Sequence, residues 1–248
     1  MFGSLTERIG RSKFTTLLLD IFFPRFCLGC RTHGVWVCQA CEGTLPRYRP
    51  QSSHAMQYSK SLSFFRAAYS YDHWLTQSIV RTCKYEGVRG LADTMASALV
   101  REYQYIPSDG DEVVIIPVPL HERKQSERGF NQAELIALKV ASILGKEVCA
   151  TAVRRIRDTC TQVKLSREQR RSNVKGVFVC DEPHRITGKR VVLVDDISTT
   201  GSTLSEIAGV LWSAGVTDVI GLVFAHGNSS NEEAPVRLAD HPKESLYG

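Results

Sequence analysis

Residues 191–204 read VVLVDDISTTGSTL. Four apolar residues stop on two aspartates, a short loop of hydroxyl side chains and one glycine follows, and apolar spacing resumes at Leu204. A continuous apolar run bounded by turn signals suits a strand buried on both faces, and the later spacing of three to four suits a helix. The chain is expected to leave the sheet after Val194 and bend into a helix amino terminus over Thr199–Thr203. Backbone N–H groups and the helix dipole favour an anion there. Thr199, Thr200, Ser202 and Thr203 add hydroxyl donors, and Gly201 lets a ligand approach the backbone. This is a cup for a phosphate monoester. It is not a Walker A loop, because no Gly-Lys-Ser/Thr follows. Asp195 and Asp196, adjacent at a strand end, can accept hydrogen bonds from vicinal hydroxyls or hold a hydrated Mg²⁺. Phosphate, diol and divalent cation together describe a ribose 5-phosphate carrying a pyrophosphate. A helix cap with two solvated acids would leave the unbroken run of hydroxyls and glycine unexplained.

Working outward, strands and helices alternate. A short strand is expected at Ala67–Tyr71, helices at Leu75–Lys84 and Leu91–Tyr103, and a buried strand at Val113–Val118 ending on Pro119. A helix over Gln132–Leu144, a short strand at Val177–Val179, a helix over Leu204–Ala214 and a last strand at Val219–Ala225 complete the pattern. Buried strands alternating with helices give an α/β fold: a mostly parallel sheet flanked by helices on both faces. Ligands of such sheets sit beyond the carboxyl ends of the strands. Two of those ends, Pro117–Leu120 and Asp195–Thr203, carry unusual residues.

The 248 residues allow one substantial domain plus a small module, and 43% hydrophobic with 23% charged residues fits a soluble globular chain. A net charge of +5 permits anionic partners, phosphorylated metabolites or nucleic acid, without demanding them. The apolar run Leu17–Phe23 is interrupted by Asp20, is too short to span a bilayer and lacks a cleavage site, so it reads as a docking helix ended by Pro24, with attachment to a membrane surface as the lesser alternative. With no secretory signal or transmembrane segment, a cytoplasmic, reducing setting is expected. There the eight cysteines favour metal over disulfides. Cys27-Leu-Gly-Cys30 and Cys38-Gln-Ala-Cys41 form two CxxC turns that together offer a tetrahedral four-thiolate site for structural zinc, with no position left for catalysis; His33 is a spare ligand. Cys83, Cys149, Cys160 and Cys180 lack ligand spacing and read as small buried residues, with Cys160, in a basic segment, the more reactive. Residues 1–50 are therefore expected to hold an apolar helix and the zinc module, 60–228 the larger domain after a Tyr48–Lys60 linker, and 229–248 a polar tail.

VVLVDDISTTGST resembles the phosphoribosyl pyrophosphate (PRPP) binding motif of type I phosphoribosyltransferases. More narrowly, the chain is similar to the ComF family, in which a four-cysteine zinc module precedes a phosphoribosyltransferase domain. The matching pieces are CLGC…CQAC at 27–41, KYEGVRGLA at 84–92, IIPVPL at 115–120, RGFNQAELIA at 128–137, TQVKLSREQRRSNVKGVF at 161–178 and the PRPP motif itself.

The resemblance implies that Asp195 and Asp196 bind the ribose hydroxyls and that Thr199, Thr200, Gly201, Ser202 and Thr203 bind the 5-phosphate, with Mg²⁺ accompanying PRPP. It places Val118 and Pro119 on a loop that contacts pyrophosphate, where a cis X–Pro bond would turn N–H groups inward. His121, Arg123, Lys124 and Arg128 follow. Arg123 and Arg128 are preferred as partners of the pyrophosphate leaving group, while Lys124 competes with a solvated-loop reading. Arg154–Lys175 corresponds to a flexible region that closes over PRPP, with Gln162, Arg170 and Asn173 matching the family pattern. Its basic density suits a nucleic-acid backbone as well. Lys84 also matches, with a structural role as an equal reading. Thr199 stands where purine-salvage enzymes carry an acidic base, and the chain opens Met1-Phe2-Gly3 without a glutaminase nucleophile. No catalytic residue is therefore assigned. Three readings stay open: a phosphoribosyltransferase with an unidentified acceptor, a single-stranded-DNA-binding protein of natural transformation working beside other competence proteins, and a PRPP sensor without turnover.

Overall fold

The apolar run that opens the quoted stretch becomes the middle strand of a five-stranded sheet. The computed structural model describes residues 24–49, 61–106, 112–158 and 176–227. The apolar run Leu17–Phe23, most of the 48–60 linker, Cys160, Gln162, Arg170, Asn173 and the 229–248 tail lie outside them. The chain divides into two compact units, Met1–Leu45 and Pro46–Gly248.

In the first unit the described residues hold one short helix, α1 (Gln39–Gly43), and an isolated bridge between Phe26 and His33. In the second unit the order is β1 (Phe64–Ser70), α2 (Trp74–Tyr85), α3 (Leu91–Tyr103), β2 (Val113–Pro117), α4 (Glu122–Arg128), α5 (Gln132–Leu144), β3 (Glu147–Val148), β4 (Val153–Arg155), β5 (Phe178–Cys180), β6 (Arg190–Ser198), α6 (Ser202–Ser213) and β7 (Asp218–His226). The main sheet runs β1-β7-β6-β2-β3 with every pair parallel. The helices expected over 91–103 and 132–144 form with those bounds. Asn131 caps α5 by accepting the Ala133 N–H at 3.0 Å, and Gly145 ends it.

The strand order decides where a ligand can sit. From β1 the chain crosses to β2 and then to β3 in one direction, whereas from β6 it crosses to β7 in the other. Right-handed crossovers therefore put α3 and α5 on one face and α6 on the opposite face. The reversal opens a crevice between the carboxyl ends of β2 and β6, which is where open α/β sheets bind ligands. Val191–Val194 and Val114–Ile116 are buried on both faces, as parallel strands covered by helices must be.

Three expectations change. β6 does not end at Val194: its pairing with β7 continues through Asp195↔Val223 and Ile197↔Ala225 to Ser198↔His226. Backbone bonds to a long neighbouring strand override the low strand propensity of aspartate. The short strand near Val177–Val179 is not part of the main sheet, because Phe178–Cys180 pairs antiparallel with Val153–Arg155 in a separate two-stranded ribbon. The linker does not begin at Tyr48: its N–H donates to the Ala68 carbonyl at 3.2 Å, and Arg47 bridges to Tyr69 along the free edge of β1.

The end of β7 packs tightly. The Gly227 N–H donates to the Ser198 carbonyl at 3.1 Å, and a Cβ at Gly227 would lie 2.7 Å from the Tyr71 Cβ. Backbone-proximal carbon cannot rotate away, so Gly227→Ala is expected to destabilise by about 1–3 kcal/mol. A urea-unfolding midpoint unchanged from the unaltered protein would contradict that.

Candidate functional site

Each side of the crevice is built by a strand end and the loop that follows it. On the β6 side, Gly201 adopts φ +70°, a left-handed conformation that costs glycine little, and α6 starts at Ser202. The first N–H groups of a helix have no partner within it. Ser198, Thr199, Thr200, Gly201, Ser202 and Thr203 line a cup of about 60 Å³ together with Asp195. Inside it the Thr200 and Ser202 hydroxyls lie 2.8 Å apart, and the Ser202 N–H reaches Thr200 Oγ1 at 3.4 Å. Small hydroxyl side chains and the N–H groups of a helix amino terminus make this cup complementary to a phosphate.

Asp195 and Asp196 precede the cup, and because residues of a strand alternate, they point to opposite sides of β6. Asp196 is 1% exposed, and its N–H donates to Asp195 Oδ1 at 2.9 Å. Its Oδ2 faces the Lys84 ammonium at 3.1 Å. Lys84 comes from the last turn of α2, whose apolar Leu75, Ile79 and Cys83 bury against the core. Burial alone would lower the Lys84 ammonium, but Asp196 and then Asp195 hold it above its ordinary value. Burial, and next the Asp196 charge, push the Asp195 carboxyl well up, with Lys84 opposing. Burial and the Asp196 charge also raise the Cys83 thiol to about 11.

On the β2 side, the Val118 N–H donates to the Val194 carbonyl at 2.9 Å and its carbonyl accepts from Asn131 Nδ2 at 3.1 Å, so this loop is tied to both β6 and α5. The described residues contain no cis peptide bond. Val118 and Pro119 are buried, and Pro119 borders a separate cavity of about 400 Å³ toward the β4–β5 ribbon. HERKQSERG, where a solvated loop is the competing reading for Lys124, forms α4. His121 Nδ1 caps it by accepting the Arg123 N–H at 3.3 Å, and Gly129 ends it.

The helix sorts its cations. Arg123 is 72% exposed, pairing with Glu127 at 3.0 Å and with Asp158 at 3.8 Å. Arg128 stacks over the Tyr85 ring at 5.2 Å and donates to Gln132 at 3.1 Å. Lys124 points inward: burial, then the charges of Arg155, Arg128 and Lys84, lower its ammonium while Asp158 opposes them. Arg155, stacked over Phe178 at 5.7 Å, is lowered by burial, with Asp158 and Asp195 opposing. Four cations, Lys84, Lys124, Arg128 and Arg155, thus converge on the space beside Asp195 and Asp196. The sequence ranks Lys124 below Arg123 and offers Arg155 only as part of the basic 154–175 segment. A helical wheel of 122–128 and the in-out alternation of Val153-Arg154-Arg155 are the signals that could have found them.

The first unit carries a different site. Cys27, Cys30, Cys38 and Cys41 place their sulfurs within 4.8 Å of one another, with Cys30 and Cys38 at 3.6 Å. Four sulfurs around one metal with bonds of about 2.3 Å stand roughly 3.8 Å apart, so the cluster fits tetrahedral coordination. Local structure supplies it. Arg31 takes the left-handed φ of +66° just past the first CxxC turn, and Cys38 caps α1, its sulfur accepting the Cys41 N–H at 3.5 Å. The Thr32 hydroxyl, then its N–H, pull the Cys30 thiol down to about 6, whereas burial and the other thiols push Cys41 up. Thiols this close cannot all ionise without a cation among them. His33 lies outside the cluster, edge-on to Phe26 at 5.4 Å. Among the described residues no helix is long and apolar enough to cross a membrane.

Comparison with known proteins agrees with this geometry. Residues 131–241 match the phosphoribosyl transferase domain family. The chain is 41% identical over 106 residues to competence protein F of Haemophilus influenzae, covering 42% of this chain and 46% of that protein. It is 41% identical over 105 residues to DNA utilization protein YhgH of Escherichia coli O157:H7, covering 42% and 45%. Competence protein ComFC of Bacillus subtilis matches more extensively at lower identity, 25% over 200 residues, 72% of this chain and 79% of that one. The stretch matched in the first two spans about half their length. With a phosphoribosyl transferase domain matched over 131–241, a crevice between β2 and β6 and a four-cysteine module ahead of it, the chain is similar to these competence proteins of the ComF type.

Proposed function

We propose that this protein binds PRPP with Mg²⁺ in the β2–β6 crevice and acts as a phosphoribosyltransferase-like component of natural competence, in the handling of incoming DNA. The observation that carries this reading is the adjacency, at one topological switch point, of a phosphate cup, two carboxylates and four converging cations. The three features divide one ligand between them. The 5-phosphate sits on the α6 amino terminus over Thr199–Thr203. The ribose hydroxyls donate to Asp195 and Asp196, which also lie where a hydrated Mg²⁺ would be held. The pyrophosphate lies toward Lys124, Arg128 and Arg155, whose charge favours departure of pyrophosphate with the bonding electron pair. Zinc occupies the four-cysteine module as a structural ion, since four thiolates leave no open position. The relatives named for competence and DNA utilization support the setting, and a cytoplasmic location follows from it.

The experiment is calorimetric titration of the zinc-loaded protein with PRPP and Mg²⁺, with pyrophosphate assayed in the same samples. Binding followed by pyrophosphate release on adding an acceptor pool makes the protein a transferase. Binding without release makes it a PRPP sensor. Absence of binding overturns the reading and directs attention to the basic Arg154–Lys175 segment and single-stranded DNA, tested by salt-dependent binding before and after changing Arg154, Arg155 and Arg157.

A further inference from the structure

We infer that the rim of the crevice where α2 meets α4 is a stacking platform for an unpaired base of single-stranded DNA, with Tyr85 as its exposed ring. The inference deepens the reading of this protein as a handler of incoming DNA and rests on it for purpose alone, since the contacts need no PRPP. Tyr85 ends α2 directly after Lys84, whose ammonium reaches Asp196 at 3.1 Å, so the ring stands at the crevice itself. The helix buries Leu75, Ile79, Val80 and Cys83, yet Tyr85 is 72% exposed. The Arg128 guanidinium covers one face of its ring at 5.2 Å and is held there by Gln132 at 3.1 Å. With that much of the residue exposed, the opposite face stays open to solvent.

A second pair of the same kind fixes the platform. Arg89, in the loop after α2, lies over the Phe130 ring at 5.1 Å and donates to the Gly129 carbonyl at 3.3 Å. Each segment therefore gives a ring to the other's guanidinium, and the open face of Tyr85 is held in place before any ligand arrives, which lowers the ordering cost of binding. The rim is also cationic. Arg89 is anchored beside Arg128 at the end of α4, and Lys124 and Arg155 lie deeper. Its acids are engaged, Glu86 by the Thr82 hydroxyl at 3.2 Å and Glu127 by Arg123 at 3.0 Å. An exposed aromatic ring among cations is the arrangement that holds single strands without reading their sequence: the ring takes a base face and the cations take phosphates. A duplex offers no such face, because its bases are stacked on one another. A free neutral base would leave the cations of the rim without phosphates.

The test is fluorescence anisotropy with labelled oligothymidylate, its duplex with oligoadenylate, and thymidine as competitor, over a series of salt concentrations and without PRPP or Mg²⁺. The zinc-loaded protein is expected to bind the single strand in preference to the duplex, and thymidine not to displace it. Tyr85→Ala is expected to weaken strand binding about fivefold or more with its salt dependence unchanged, because the lost contact carries no charge, whereas Tyr85→Phe keeps the affinity. Arg89→Gln is expected to flatten the salt dependence. In Tyr85→Trp the added emission should be quenched by the strand, a readout that does not depend on the alanine variant. Equal affinity of the unaltered protein and Tyr85→Ala, no quenching in Tyr85→Trp, preference for the duplex, or displacement by thymidine each overturns the inference. Tyr85→Ala is expected to bind PRPP with Mg²⁺ within a few-fold of the unaltered protein, and loss of PRPP together with the strand would assign Tyr85 to the folding of the crevice and overturn it. If the unaltered protein fails to bind PRPP, the PRPP reading falls while the strand measurements still decide the role of Tyr85.

Discussion

Replacing Cys27 with serine is expected to release the metal and unfold the amino-terminal unit while leaving the larger unit folded. Cys27 is 0% exposed, and its sulfur accepts the Cys38 N–H at 3.3 Å, so it sits at the centre of the module. The described part of this unit has one five-residue helix with no buried residue. Such a segment cannot bury enough apolar surface to offset its ordering entropy, and its stability has to come from the metal. Structural zinc sites contribute apparent free energies of about 10–16 kcal/mol at neutral pH, as large as the whole stability of a typical domain. The check is metal content per chain alongside the number of unfolding transitions: the serine variant should hold less than a tenth of an equivalent and keep the main transition. Retention of one equivalent of zinc would rule out the four-thiolate site. Loss of both transitions would show that the two units fold as one.

Changing Asp195 and Asp196 together to alanine is expected to weaken PRPP binding at least 100-fold. Hydrogen bonds to a charged acceptor contribute about 1.5–3 kcal/mol each, so two of them lost cost about 3–6 kcal/mol, and each 1.4 kcal/mol is tenfold. Calorimetry against the unaltered protein measures it, and equal affinities would mean that the ribose is held elsewhere.

The same residues make an opposite prediction for stability. Burial, then the Asp196 charge, raise the Asp195 carboxyl above its ordinary value of 3.8. Between that value and the raised one the folded state holds a proton that the unfolded state has released, so stability falls as pH rises through the window. Asparagine cannot ionise. Asp195→Asn should therefore flatten this slope and melt higher than the unaltered protein at pH 7, while binding PRPP more weakly. A variant melting lower at pH 7 would show that ionised Asp195 carries no penalty in the folded chain. Higher stability with lost binding is the signature of a site strained for its ligand.

Local chemistry was the legible part of this chain. The helix bounds of 91–103 and 132–144 could be read because periodic apolar spacing and end signals such as Asn131 and Gly145 lie within a few residues of what they control. The cavity at the start of α6 was legible for the same reason, since residues 198–203 are neighbours in the chain and in space. Cys27, Cys30, Cys38 and Cys41 declare their cluster through spacing alone. What the tertiary structure decided is the partner of each element. β5 pairs with β4 instead of joining the main sheet, and β6 runs on through Asp195 and Asp196 because β7 continues beside it to His226. The crevice exists because strand order reverses between β2 and β6, which no local pattern encodes. Lys84 meets Asp196 only when α2 folds over the sheet, and Lys124 displaces Arg123 from the interior through the winding of α4. A buried carboxylate selects its counter-ion by the cost of desolvation, and that cost arises only once the fold has removed the water.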